Sequence, residues 1–221
     1  MSETRRQTIG EEIANSISHG AGALLAVAAI PVLLVDAMAG GSPVTELFAV
    51  TVFGVSMLVM YLASTLYHAL PAGPGAAAPA GRAKRVFHVL DHCAIYVLIA
   101  GTYTPFALGA FREHWGWPMF GLVWSLALVG VVLKCLPGDR RPLLSTLLYL
   151  AMGWLVLVAA EPLFSNLPAA GLAWLVAGGL AYTVGVALFA LDHRIRYAHL
   201  GWHLFVLAGS ACHFVAVLRY A

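Results

Sequence analysis

The chain has 221 residues, 61% of them hydrophobic and 10% charged, with a formal net charge of +2. An average soluble domain is roughly 25% charged, so this composition excludes a water-soluble globular protein and specifies an integral membrane one. The positive charge is too small and too dispersed for nucleic-acid binding. The three cysteines, Cys93, Cys135 and Cys212, form no C-x-x-C pair and carry no functional signal. Residues 1–12 are polar. Arg5 and Arg6 approach a twin-arginine pattern, but Glu11 and Glu12 intervene and no small-residue cleavage site stands out, so the N-terminus reads as retained.

Apolar runs long enough for a bilayer fall near 17–35, 47–69, 86–110, 116–133, 143–160, 169–191 and 198–218. The expectation is therefore an all-α integral membrane protein with seven transmembrane helices in one domain, residues 1–221, of which 1–16 form an N-terminal segment. The breaks carry helix-ending chemistry: Gly40, Gly41, Ser42 and Pro43 after the first run, Pro71, Gly73, Pro74 and Gly75 after the second, Pro137 and Gly138 after the fourth. Residues 71–81, almost all Ala, Pro and Gly, read as the one long, flexible link.

Lys and Arg are distributed unequally between the two sets of loops. Arg5, Arg6, Arg82, Lys84, Arg85, Lys134, Arg140, Arg141, Arg194 and Arg196 fall on the N-terminal side, and only Arg112 and Arg219 fall opposite. Positive residues favour the cytoplasm, which predicts a cytoplasmic N-terminus and an outside C-terminus.

That orientation assigns a depth to each polar residue. The second run descends to the cytoplasm and ends with Ser64 and His68; the third carries Asp91 about five residues in; the seventh begins with His199 and His203, one helical turn apart on one face. At about 1.5 Å per residue, His68, Asp91, His199 and His203 all lie within roughly 10 Å of the cytoplasmic boundary. Asp91 is the only Asp, Glu, Lys or Arg within the seven runs. An intramembrane carboxylate points to function by default, although an acid is also favoured at a helix N-terminus by the macrodipole. Three imidazoles with a carboxylate match a catalytic zinc site that keeps a fourth position open to water. The clustered His199 and His203 suit a tetrahedral ion rather than haem, whose ligands oppose each other across the iron.

The remaining histidines divide by position. His213 lies ten residues past His203, about 15 Å along the helix, too far for the same ion, and is expected to hydrogen-bond between helices. His19 has the depth to support the ligands. His92 either orients Asp91 or faces the headgroups, and His114 and His193 read as loop residues. Tyr67, Tyr96, Tyr103, Trp115, Trp117 and Trp202 lie mostly near the ends of the runs, as an interfacial belt does.

Several motifs carry a resemblance: Glu12, Asn15, His19 and Gly20; Ser64 to His68 (STLYH); Phe87 to His92 (FHVLDH); Gly101 to Pro105 (GTYTP); His199 to Val206 (HLGWHLFV); and His213 with Phe214. In this order across seven runs the chain resembles the hemolysin III family, within the progestin and adiponectin receptors and, more distantly, the alkaline ceramidases. The resemblance implies a seven-helix fold and Zn²⁺ held by His68, His199 and His203, with Ser64 and Asp91 beside a zinc-bound water. From it follows a hydrolase-like reaction in which Asp91 takes the proton, Ser64 donates to a developing oxyanion, and a membrane lipid amide or ester is the substrate. The alternatives are a zinc-stapled receptor or regulator of membrane state, and a pore-forming cytolysin. The expected location is the inner (plasma) membrane of a bacterium.

The charge asymmetry has a direct test. In a background without the native cysteines, an Ala78→Cys variant should resist an impermeant thiol reagent in intact cells and react after lysis. Labelling from outside would reverse the orientation and undo the common depth of the histidines.

Overall fold

The computed structural model describes residue 5 and residues 7–71, 79–136, 142–159, 165 and 167–221, and among them all regular secondary structure is helical. The helices are α1 (Ile9–Ala39), α2 (Val44–Ala69), α3 (Pro79–Leu108), α4 (Trp117–Cys135), α5 (Pro142–Gly153), α6 (Ala169–Leu191) and α7 (Ala198–Tyr220), with a π-turn at Arg112–Gly116 and a 3-10 turn at Leu155–Ala159. All but α5 are long and apolar enough to cross a membrane. Most of the Pro/Gly-rich link (residues 72–78), together with Arg6, Pro137, Gly138, Arg140, Arg141 and Ala160, lies outside the described residues. The side chain of His114 does too.

The radial pattern is that of a protein in hydrocarbon. Leu24 (74% exposed) and Leu128 (65%) face outward, while Asn15 and Thr104 (both 0%) and Ser64 (1%) face inward. In water this arrangement would waste the hydrophobic effect; in lipid it puts the groups that need hydrogen-bond partners where protein can supply them. The described helices pack in sequence, α1 on α2, α2 on α3 and α3 on α4, with α6 on α7 and α7 returning against α1. The main apolar core lies between α1, α2, α3 and α7, built from residues such as Ala26, Leu33, Phe53, Met57, Leu98 and Val206.

Two boundaries differ from the sequence expectation, each for a local reason. The first helix begins at Ile9, well before the apolar run, because Thr8 and Glu11 form a capping box: Thr8 Oγ1 accepts from Glu11 N (3.3 Å) and Glu11 Oε2 accepts from Thr8 N (2.9 Å). Asn15 is therefore inside a helix rather than ahead of one. The fifth run does not continue as one helix from 143 to 160. Helix α5 stops at Gly153, where the Tyr103 hydroxyl, from α3, donates to the carbonyls of Met152 (3.0 Å) and Gly153 (2.9 Å) and accepts from Val156 N (2.8 Å). Those contacts satisfy groups that a further α-turn would otherwise use, and the chain tightens into the 3-10 turn. Tyr103 is thus a cap, and Tyr96 (1% exposed) packs against Tyr149 at 4.4 Å between ring centres, so neither belongs to the expected interfacial belt.

At Gly22 three helices pack closely near the histidines. A Cβ there would lie 2.7 Å from Leu207 Cδ2 and 2.7 Å from the Tyr61 ring, so α1, α2 and α7 meet over a bare backbone. Gly22→Val should cost about 1–3 kcal/mol by overpacking and lower the thermal unfolding midpoint in detergent. Gly121→Ala, with nothing within 4 Å, should leave it unchanged. Equal midpoints for the two variants would contradict the close approach.

Candidate metal centre

His68 stands at the end of α2, and His199 and His203 stand in the first two turns of α7. The fold brings the three together: one ring nitrogen from each lies within 4.8 Å of the others. Their ring centres form a nearly equilateral triangle of 5.1, 5.0 and 4.8 Å, and their planes are tilted by 61°, 70° and 59°, like the blades of a propeller. His203 (1% exposed) and His68 (4%) are buried and His199 is partly buried.

The hydrogen bonds around the triangle decide which nitrogen each ring can offer. His68 Nδ1 is 2.6 Å from Glu12 Oε2, and His199 Nδ1 is 3.1 Å from Asp192 Oδ2. His203 Nδ1 is 3.2 Å from the Asn15 carbonyl, beside Ser18 Oγ at 3.1 Å. An ionised carboxylate and a backbone carbonyl can only accept, so each Nδ1 donates, and in the neutral ring this selects the tautomer whose Nε2 keeps its lone pair. His68 Nε2 is buried with no hydrogen-bond partner among the described residues. Three neutral imidazoles, each fixed by an acceptor on its far nitrogen, are the donor set of a zinc or similar transition-metal site. The residues present fit a metal ion on this ground.

The supporting acceptors are themselves anchored. Glu12 Oε1 accepts from Lys84 Nζ at 2.9 Å, and Lys84 also donates to the Leu70 carbonyl at 2.8 Å, tying α1 to the end of α2 and the start of α3. Asp192 sits in the turn between α6 and α7, and that turn is held by the N-terminal segment. Glu11, 2% exposed, accepts from Arg5 Nη1 (2.8 Å) and Nη2 (2.7 Å) and from the backbone N–H of Tyr197 (2.9 Å). Arg5 Nη2 also donates to the carbonyls of Asp192 (3.1 Å) and Ile195 (3.2 Å). The Glu11 carboxylate holds the Arg5 guanidinium above its ordinary pKa. Tyr197 has φ 59°, a left-handed conformation unfavourable for a residue with a Cβ. The turn it makes starts α7 beside Asp192 and lets that carboxylate reach His199.

Asp91 is buried at 9% exposure on α3, with the Ser64 hydroxyl beside its carboxylate, short of a well-aligned hydrogen bond. His92 does not pair closely with Asp91: its Nδ1 is 4.0 Å from Asp91 Oδ2 and donates instead to the His88 carbonyl at 2.8 Å. His19 lies flat against His203, with ring centres 3.5 Å apart and planes within 6°. His193 is exposed beside Arg194, as its loop position suggested. His213 stacks on Tyr182 of α6 (5.4 Å, 23°), and its Nδ1 has no hydrogen-bond partner among the described residues.

The sequence pattern placed the three histidines but missed the roles of Arg5, Glu11 and Asp192. Glu12 and Asn15 stood only among the family motifs. Asp192 precedes His199 by seven residues with a left-handed turn between, so no helical periodicity links them.

A buried three-histidine pocket within a bundle of membrane-crossing helices defines the class: a helical integral membrane protein with a candidate intramembrane metal centre. The chain belongs to the haemolysin-III related family, whose sequence model matches residues 7–214. It is 46% identical over 213 residues to the Hemolysin-3 homolog of Bacillus subtilis (strain 168), covering 96% of this chain and 95% of that protein. It is 44% identical over 214 residues to Hemolysin-3 of Bacillus cereus, covering 97% and 93%. The human Monocyte to macrophage differentiation factor is more distant, 28% identical over 173 residues, covering 76% of this chain and 68% of that one.

Removing an acceptor should loosen its histidine without removing a ligand. Asp192→Ala and Glu12→Ala should each weaken metal affinity by about 10- to 100-fold, measured by competition with a chelator. Affinity unchanged in both would show that the carboxylates do not set the imidazoles.

Proposed function

We propose that this protein is a zinc-dependent, hydrolase-like enzyme acting on a lipid amide or ester close to the cytoplasmic face of a bacterial plasma membrane. The observation that carries the reading is the triangle of imidazoles whose Nδ1 protons are all committed, which prepares three Nε2 lone pairs for one cation. His68, His199 and His203 would hold the zinc, which when bound would supply a Lewis acid and lower the pKa of water towards neutrality. The chain's own groups supply the rest. Asp91, on α3, holds or takes a proton from the attacking water, and the Ser64 hydroxyl, one turn before His68 and beside Asp91, donates to the oxyanion that develops on the substrate. The carboxylates of Glu12 and Asp192 offset the positive charge of a dication in a poorly solvated site.

The topology belongs to the same proposal. We take the chain to cross the membrane seven times, with α5 and its 3-10 turn forming a short fifth crossing, the N-terminus inside and the C-terminus outside.

A staple is the second reading, favoured by how closed the centre is. Ser64 and His203 are each 1% exposed, and the ligands join α2 to α7, so a metal there would fasten those helices without meeting a substrate. The name Hemolysin-3 describes the Bacillus cereus relative; a wide aqueous pore in this chain would need exposed polar faces, whereas its polar residues within the helices are largely buried.

Asp91→Asn separates the two leading readings. Elemental analysis should find one zinc per chain in the wild type, in His213→Ala and in Asp91→Asn, and loss in a His199→Ala, His203→Ala double variant. On the hydrolytic reading Asp91→Asn lowers turnover of a lipid amide by about 10²- to 10⁴-fold. Retained zinc with unchanged function would favour the staple, and loss of zinc would make Asp91 a ligand.

A further inference from the structure

A line of polar side chains leaves the three histidines and runs into the apolar bundle. His19 stacks on His203 at 3.5 Å and meets the edge of the Tyr61 ring at 5.1 Å. Tyr61 lies beside Ser210, Ser210 Oγ is 3.0 Å from the Tyr182 hydroxyl, and the Tyr182 ring covers His213 at 5.4 Å. Ser64 and Asn15 flank the start of this line on α2 and α1. From His203 to His213 it covers ten residues of α7, about 15 Å, and so passes the middle of that helix.

The polar atoms along the line go largely unused by the protein. Asn15 Oδ1, both ring nitrogens of His19 and His213 Nδ1 are buried with no hydrogen-bond partner among the described residues, and the Tyr61 hydroxyl and Ser64 Oγ, which lie beside Ser210 and Asp91, form no well-aligned bond with them. Outside this line and His68 Nε2, only Arg5 Nε and Thr45 Oγ1 share that condition among the described residues. Buried polar groups in folded proteins are almost always satisfied, by protein or by bound water, and a polar interior site with several donors and acceptors is where such water is found. Asn15, His19, Tyr61, Ser64, Ser210 and His213 are at most 8% exposed and Tyr182 is partly buried, so the line is shielded along most of its length, which does not exclude a molecule the size of water. Beyond Tyr61 on α2 come Met57 and Phe53, and beyond His213 on α7 come Ala216 and Val217, all part of the apolar core, so the line ends blind.

We propose that this line binds a file of ordered water molecules extending from the metal centre to His213, closed at its far end by the apolar core. The file gives the centre a local supply of water inside the bundle without opening a leak across the membrane. It depends on the orphaned polar atoms and not on the metal or on hydrolysis, and it can be tested apart from both.

Hydroxyl-radical footprinting of the full chain in lipid nanodiscs, read by mass spectrometry, reports side chains that touch bound water even when they are shielded from bulk solvent. Tyr61 and Tyr96 are the same residue type, 2% and 1% exposed, and Tyr96 packs in a separate cluster. Tyr61 and His213 should oxidise several times faster than Tyr96 and Phe53, both before and after treatment with a chelator. Rates for Tyr61 and His213 as slow as that of Tyr96 would overturn the proposal. So would labelling confined to His19, or labelling that vanishes with the metal, since either would restrict the water to the metal centre.

Discussion

Inside hydrocarbon a polar atom has no water to turn to, and an unmet hydrogen bond there costs several kcal/mol. The bundle is arranged around that constraint. Its apolar side chains spread outward, and the groups with hydrogen-bonding needs collect between α1, α2, α3 and α7. A histidine placed among them must have its Nδ1 and Nε2 accounted for. The protein answers Nδ1 with a carboxylate or carbonyl in each of the three clustered rings, and the unanswered Nε2 of His68 is what marks the cluster as a place for a cation.

The acceptors that answer Nδ1 come from outside the spans that carry the ligands. Glu12 and Asn15 belong to the first turns of α1, and Asp192 to the turn before α7. The geometry of the centre therefore depends on how the N-terminal end of α1 docks against that turn. Glu11 makes the junction, receiving Arg5 on one side and the left-handed Tyr197 on the other. A residue with a Cβ in that conformation costs about 1–3 kcal/mol, and the Glu11 contact is the visible compensation. The strained turn and the candidate metal centre are parts of one construction: the first sets the direction from which α7 delivers His199 and His203.

The polar line beyond the centre extends the same reasoning. His19 and His213 look alike in sequence, each a histidine within an apolar run. One lies flat on a candidate ligand and the other stacks on Tyr182 about 15 Å away along α7. Neither has its nitrogens fully met by protein, and Tyr61 and Ser210 bridge the space between them. A file of water along this line, closed by Phe53 and Val217, would separate hydration of the interior from permeability.

Much of this was fixed by local pattern. Apolar run length determined that the chain is a helical membrane protein, because a bilayer demands about 20 apolar residues per crossing whatever the neighbours do. The four-residue spacing determined that His199 and His203 share a face, and their position at a helix start matched that of His68 at a helix end. What only the tertiary structure decided were the interactions between segments far apart in the chain. That Tyr103 would cap α5 and cut the fifth run short, that Glu12 would meet His68 across 56 residues, and that Asp192 would fold back on His199 depend on helix packing and a single left-handed residue. Periodicity describes one helix at a time, and a hydrogen bond between two of them exists only once their separation and rotation are set.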